Sequence, residues 1–201
     1  MSTAFHRVRD GSIRASFEAV EAGVLTNLIS QLATLLQDER SGAFEGMPSP
    51  DAVDEPLTRH DPAADLAAAV GLSSEPISTP TDPVLARLLP DGYTDDPEAA
   101  VEFRRYTEYD LRMAKLSAAA IVLDTLESGG TLTLDEAQAH EWMRVLNDLR
   151  LAIGTRLDIT EDYEAVADSL PEDDPLRGLY AVYEWLTWMQ DSLVSALAGD
   201  R

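Results

Sequence analysis

Apolar residues recur along this chain mainly at helical spacing, and four stretches carry that pattern far enough to predict long helices. In the first, Phe17, Val20, Val24, Leu28, Leu32 and Leu35 fall three or four residues apart, with Leu25, Ile29 and Leu36 widening the stripe. That spacing lays one apolar face on a helix of period 3.6. Ser16 is a suitable N-cap for it, and Ser41-Gly42 follows its expected end near Arg40. The longest predicted helix runs from Pro97 to about Ser128, with Tyr106, Tyr109, Met113, Leu116, Ala120 and Leu123 as its core stripe. Gly129-Gly130 stops it. Thr133-Leu134-Asp135-Glu136 reads as a capping box opening the third helix, whose stripe is Trp142, Leu146, Leu149, Ile153 and Leu157. The last helix starts at Pro175, turns Leu179, Val182, Leu186, Met189, Leu193 and Leu197 inward, and ends at Gly199. The two central helices, joined by the double glycine, are expected to form an antiparallel hairpin.

Shorter signals complete the outline. Phe5 to Phe17 alternates around Asp10-Gly11, a type I′ turn pair, which predicts a small N-terminal β-hairpin. Asp61-Pro62, Asp82-Pro83, Asp96-Pro97 and Asp174-Pro175 are four helix-start signals. Aspartate satisfies free amides, and proline at the first helical position gives up no hydrogen bond. They predict short helices over Pro62–Val70 and Pro83–Leu89, and Thr160 starts another through Ala167. The stretch from Ser41 to Arg59 is proline-rich and acidic with almost no apolar periodicity, so a mobile loop is expected at about 41–60. The expected fold is one all-α domain over 1–201: a helical bundle of four long amphipathic helices with short helices and the hairpin.

Composition narrows the function. Apolar residues make up 45% of the chain but aromatics only 6%, so the core is expected to be mostly Leu, Ala and Val. With 0 cysteines the chain has no disulfide, thiolate zinc site or thiol redox switch. No apolar run follows the basic residues at the N-terminus, and Ala118–Leu123, the longest apolar block, is far short of the roughly 20 residues of a membrane span. A cytoplasmic protein with no membrane contact is expected. The formal charge of −22 repels phosphate, so direct nucleic-acid binding is not expected.

No short motif carries chemistry. His140-Glu141 begins like a zincin helix, but position 144 is Arg144 and the second histidine is missing. No histidine has the glutamate three residues upstream that a di-iron bundle needs. Gly129-Gly130 is followed by Thr131-Leu132, without a phosphate-loop lysine. No catalytic residue, metal site or cofactor is therefore expected. Polar residues at unusual places remain. Arg104, Arg105, Glu108, Arg112 and Lys115 make a mixed-charge face, read as solvated salt bridges or as a basic docking strip. Asn147, Asp148 and Gly154 weaken an otherwise clean helix, which calls for a compensating contact. Arg104, Arg105, Asn147, Asp148, Arg150 and Arg156 are expected to form one cluster between the central helices, serving either as a structural network or as a partner site. Trp185 and Trp188 lie beside the last helix's stripe and are read as packing residues or as an aromatic contact for a partner.

Several segments together resemble a known family. They are Phe5-His6-Arg7-Val8, Leu89-Pro90-Asp91-Gly92-Tyr93, Phe103–Glu108, Asp110-Leu111-Arg112, Leu146–Leu151, Gly154–Leu157 and Tyr183–Gln190. The chain resembles an actinobacterial family of acidic proteins classed as a domain of unknown function, typically encoded beside a ClpS-type protease adaptor. The family includes an actinomycete oxidative-stress-responsive transcriptional regulator thought to act with a stress sigma factor. The resemblance implies a transcriptional regulator with a sigma factor or RNA polymerase as partner; the missing chemistry makes the expected protein non-enzymatic and working by protein–protein contact, with a homodimer as a further candidate assembly. An adaptor for ClpS-linked proteolysis and an enzyme with an unrecognised site are the alternatives. A redox-switched regulator would use paired cysteines, which this chain lacks.

Overall fold

A computed structural model describes residues 3–38, 80–127 and 130–199. Among them, in chain order, are β1 (Thr3–Arg7), β2 (Ile13–Ser16), α1 (Ala19–Asp38), α2 (Pro83–Leu88) and α3 (Pro97–Glu127). Then come β3 (Thr131–Leu134), α4 (Glu136–Arg156), α5 (Tyr163–Ser169) and α6 (Pro175–Ala198). The expected loop at 41–60 and the helix over 62–70 lie outside the described residues.

The four long helices are present, but the centre of the packing is α4, against which α3, α6, α2 and α1 all lie. Its expected stripe holds: Trp142, Leu146, Leu149 and Ile153 are buried and Leu157 is partly so. The hairpin of α3 on α4 is seen in its contacts. Thr125 meets Trp142 and Lys115 meets Asp148, so the two helices run in opposite directions. On α6, Leu186, Met189 and Leu193 are buried, with Leu179, Val182 and Leu197 packed on the core's edge.

The N-terminal hairpin is the start of a larger feature. β1, β2 and β3 form an antiparallel sheet in that order, with β3 drawn from the connection between α3 and α4. Thr131-Leu132-Thr133-Leu134 alternates exposed and buried, as a half-buried strand should. The capping box therefore sits two residues later than expected. Asp135 accepts from the Gln138 amide, and the Gln138 side chain accepts from the Asp135 amide. The β1–β2 turn is not the two-residue type I′. Val8 pairs with Ser12 across Arg9-Asp10-Gly11, with Gly11 at φ 87°, the three-residue form that ends in a left-handed glycine. Ser16 does not cap α1: it closes β2 opposite Thr131, and α1 starts with Ala22 N–H donating to the Glu18 carbonyl.

Two faces differ from expectation. On α1 the innermost row is Leu25, Ile29, Leu32 and Leu36, while Val20 is exposed and Val24, Leu28 and Leu35 flank it. By length and composition alone α1 could cross a membrane, yet this row is buried in the core. On α3 the expected stripe is largely outside. Tyr106, Tyr109, Met113 and Ala120 are exposed, and only Leu116 and Leu123 reach the core's edge. The buried row is Ala100, Arg104, Glu108, Arg112, Ala119, Val122 and Leu126. Its N-terminal half is charged.

Sheet and helices meet in an aromatic cluster. Trp142 stacks on Phe17 at 5.7 Å and meets Phe5 edge-on at 5.4 Å, and Phe17 in turn meets Trp185 edge-on. The Trp142 indole N–H donates to Thr125 Oγ1, so this fully buried ring has its polar atom satisfied.

Candidate functional site

The charged row of α3 is a ladder at helical spacing. Arg104 Nη1 donates to Glu108 Oε2 at 2.6 Å, and Arg112 Nε donates to Glu108 Oε1 at 2.9 Å. All three side chains are over nine-tenths buried. Each arginine also reaches the C-terminal end of another helix. Arg104 Nη2 donates to the carbonyl of Leu89, the C-cap of α2, and Arg112 Nη1 to the carbonyl of Leu36 in the last turn of α1. Helix C-termini leave carbonyls unbonded and carry partial negative charge, so a guanidinium is well suited there. Asp91 completes the Arg104 shell, accepting from Nε and Nη2. Burial disfavours the Arg104 charge, but Glu108 and Asp91 outweigh it and hold the guanidinium above its ordinary pKa. Arg104, Glu108 and Arg112 of the mixed-charge face thus form an internal, charge-compensated network and are not a solvated salt-bridge face.

This accounts for the Leu89-Pro90-Asp91-Gly92-Tyr93 segment. Arg104 grips Leu89 and Asp91, Tyr93 meets the Phe103 ring edge-on at 5.8 Å, and Gly92 lies under that ring. A Cβ on Gly92 would sit 2.5 Å from a Phe103 ring carbon.

The six residues expected as one cluster do not come together. Asp148, buried on α4, accepts from Lys115 Nζ at 2.7 Å across the α3–α4 seam. Burial raises the Asp148 carboxyl above its usual pKa, and Lys115 acts against that shift. Arg150 turns to α6, donating to Thr187 Oγ1 and Gln190 Oε1 with its guanidinium over the Tyr183 ring. Arg156 is half-exposed and pairs with Asp82, the N-cap of α2. Burial raises the Asp82 carboxyl, but Arg156 and the amides of Leu85 and Val84 together leave it lowered. Asn147 is exposed. Arg105 is half-buried against the Tyr106 ring, its Nε enclosed without a hydrogen-bond partner. Trp185 belongs to the core's edge, whereas Trp188 is exposed.

Gly154 is explained by what lies on it. A Cβ there would sit 3.3 Å from Tyr183 and 3.6 Å from Ile159. Ile159 N–H donates to the Gly154 carbonyl and Asp158 N–H to Thr155, with Asp158 at φ 50°. This is a Schellman end with aspartate in the usual glycine place and its apolar contact laid over Gly154.

Among the described residues no three His, Asp or Glu side chains are grouped to hold a metal. A shallow cleft of about 160 Å³ beside β3 is lined by Asp124, Thr125, Thr131, Leu132, Thr133, Leu134 and Gln138. One carboxylate among threonines, leucines and an amide offers no acid–base pair. The outer face of α3 is what sequence reasoning missed: Phe103, Tyr106 and Tyr109 are exposed there, with Tyr93 beside them.

The family model described as "Domain of unknown function (DUF2017)" matches residues 2–197. The chain belongs to this family. Two relatives of this DUF2017 chain extend over nearly all of it. The "Oxidative stress regulator AosR" of Mycobacterium tuberculosis (strain ATCC 25618 / H37Rv) is 34% identical over 208 residues, 96% of this chain and 86% of the relative. The "Putative oxidative stress regulator AosR" of Mycobacterium leprae (strain TN) is 35% identical over 191 residues, 88% of this chain and 78% of the relative. No solved structure matches it.

Proposed function

We propose that this chain regulates an oxidative-stress response at the level of transcription, and that it does so by protein–protein contact with a sigma factor. The observation that carries the reading is the near full-length similarity to relatives named oxidative stress regulators. The chemistry of the site agrees with a contact role. Among the described residues, its buried charges are matched to one another and to helix ends. The charge of −22 opposes direct contact with DNA, so control of transcription is better exerted through a protein. Lacking cysteine, the chain receives the oxidant signal from its partner or through its own abundance.

The test uses a tagged full-length chain in its native host, with and without peroxide. Co-purification of a sigma factor, together with altered peroxide-induced transcripts in a deletion strain, is the expected result. Recovery of protease subunits in place of the transcription machinery, with normal transcripts, would overturn it in favour of a proteolysis adaptor.

A further inference from the structure

Tyr93, Phe103 and Tyr106 stand on the surface where the turn before α3 meets its first three turns. They are 52%, 44% and 56% exposed. Nothing in the core requires them outside, since the inward row there is Ala100, Arg104 and Glu108. They are also held in place. Gly92 leaves room for the Phe103 ring where a Cβ would sit, Tyr93 braces Phe103 edge-on, and the Arg105 guanidinium sits 5.6 Å from the Tyr106 ring centre. Ordered aromatics on a surface lose little conformational freedom on binding and are enriched at the centres of interfaces.

The rim of this patch has one sign. Glu102 and Asp110 lie four residues before and after Tyr106, so both flank its ring on the helix surface, and Asp95 is exposed beside Tyr93. Outside the ladder, the acidic residues between Asp91 and Asp110 are Asp95, Asp96, Glu98, Glu102 and Asp110, all exposed. Arg104 is buried in the ladder, and Arg105 is half-buried with its guanidinium against the Tyr106 ring.

We infer that this surface docks an arginine- or lysine-rich segment of a protein partner. Arginine and lysine stems cover apolar surface while their charges remain available, and guanidinium groups stack on aromatic faces. The rings of Phe103 and Tyr106 take the stems, and Glu102, Asp110 and Asp95 take the charges. A second copy of this chain does not fit, because a symmetric contact would set one acidic rim against another. Nucleic acid is repelled by the same rim. The inference rests on the protein-contact reading above and adds the surface and the chemistry of what meets it.

The test titrates the full chain into a labelled Arg/Leu amphipathic peptide and follows fluorescence anisotropy. Tyr106→Ala is expected to weaken binding about tenfold, as loss of an interface centre does. The pair Glu102→Lys/Asp110→Lys is expected to weaken it at least as much. Glu164→Lys/Asp168→Lys makes the same change of charge on the exposed surface of α5 and is expected to leave affinity within about twofold, a difference only general electrostatics would supply. Equal weakening by the two charge-reversed pairs would reduce the effect to net charge and overturn the site. Undiminished binding by Tyr106→Ala, with an unchanged melting temperature, would overturn it as well. A normal peroxide response in a deletion strain removes the regulatory reading without touching this assay.

Discussion

Glu108→Ala should be among the most destabilising single substitutions in this protein that leave its apolar core untouched. Glu108 is the shared carboxylate of the α3 ladder, accepting from Arg104 on one oxygen and Arg112 on the other. Removing it leaves two like charges on one buried row. Breaking a fully buried ion pair from one side costs about 3–5 kcal/mol. Arg104 keeps Asp91 and Arg112 keeps the Leu36 carbonyl, which places the expectation near the lower end, about 3 kcal/mol. With a urea m-value of about 2 kcal/mol/M, the midpoint should fall by roughly 1.5 M. The internal control is Glu141→Ala. Its partner Arg144 is 67% exposed, so about 0–1 kcal/mol is expected. Chemical denaturation followed by far-UV circular dichroism compares the two. If Glu108→Ala falls within about 1 kcal/mol of the control, the ladder is hydrated in solution and its buried assignment fails. The triple change Arg104→Met/Glu108→Leu/Arg112→Met separates pairing from capping. Where buried ions serve only one another, apolar replacement is often neutral or stabilising. Here the arginines also satisfy Leu89 and Leu36 carbonyls, and each orphaned buried carbonyl costs about 1–3 kcal/mol. The triple variant should therefore be less stable than the parent, and stability at or above the parent would refute the capping argument.

Leu146→Ala should cost about 2–5 kcal/mol in the same assay, since Leu146 is fully buried at the hub helix; a midpoint near the parent's would put the α4 stripe on the wrong face. Asp148 gives a test of sign. Burial raises its carboxyl above the ordinary aspartate pKa, so the native state favours the proton, and its contribution to stability falls as pH rises through the folded pKa. Asp148→Asn lacks that fall, so the parent's advantage over it should shrink with rising pH in thermal melts; an advantage that grows would mean that Lys115 dominates burial. Asp158→Gly should raise stability by about 0.5–1 kcal/mol, because a left-handed aspartate at a helix C-terminus is strained and wrongly charged, offset in part by glycine's freer unfolded chain. A melting temperature unchanged or lowered would show that the aspartate side chain contributes to the turn.

Why α4 was legible in the sequence and α3 was not comes down to what each buries. On α4 the inward row from Trp142 to Ile153 is apolar apart from Asp148, so periodicity alone finds it. On α3 the inward row begins with charges and the outward row with aromatics, the reverse of what hydropathy assigns. The charges are tolerated inside because Leu89 and Leu36 supply carbonyls from 15 and 76 residues away, which no local window contains. β3 was a different kind of miss. Thr131–Leu134 alternates at a period of two, but four residues beside a real cap were absorbed into the cap. At the candidate site, the structure separates residues that the sequence pattern grouped together. Asn147 and Asp148 looked alike as weak helix formers, yet only Asp148 faces the seam. The exposed aromatics could have been suspected from Gly92, eleven residues before Phe103, had a docked turn been considered.

The fold shows a common use for its scarce positive charge. Arg112, Arg104, Arg177 and Arg7 donate to carbonyls at the C-terminal ends of α1, α2, α5 and α6 respectively. In a chain of net charge −22, helix ends that are themselves negative add to the repulsion unless a cation sits on them. Arginine suits this better than lysine. Its planar fork bonds a carbonyl and a carboxylate at once in fixed directions, whereas an ammonium is a compact point charge. Arg112 uses both arms, with Nη1 on the Leu36 carbonyl and Nε on Glu108. Arg112→Lys keeps the charge and nearly all the apolar stem, so a role confined to charge or packing predicts almost no loss. A forked role predicts the loss of at least one charge-assisted hydrogen bond, about 1.5–3 kcal/mol. Arg144→Lys, on the exposed pair with Glu141, should change nothing measurable. Equal midpoints for Arg112→Lys and the parent would leave the ladder as an ion pair alone. A drop of the expected size, seen only at the buried position, makes the geometry of the guanidinium the feature that ties α1 to α3.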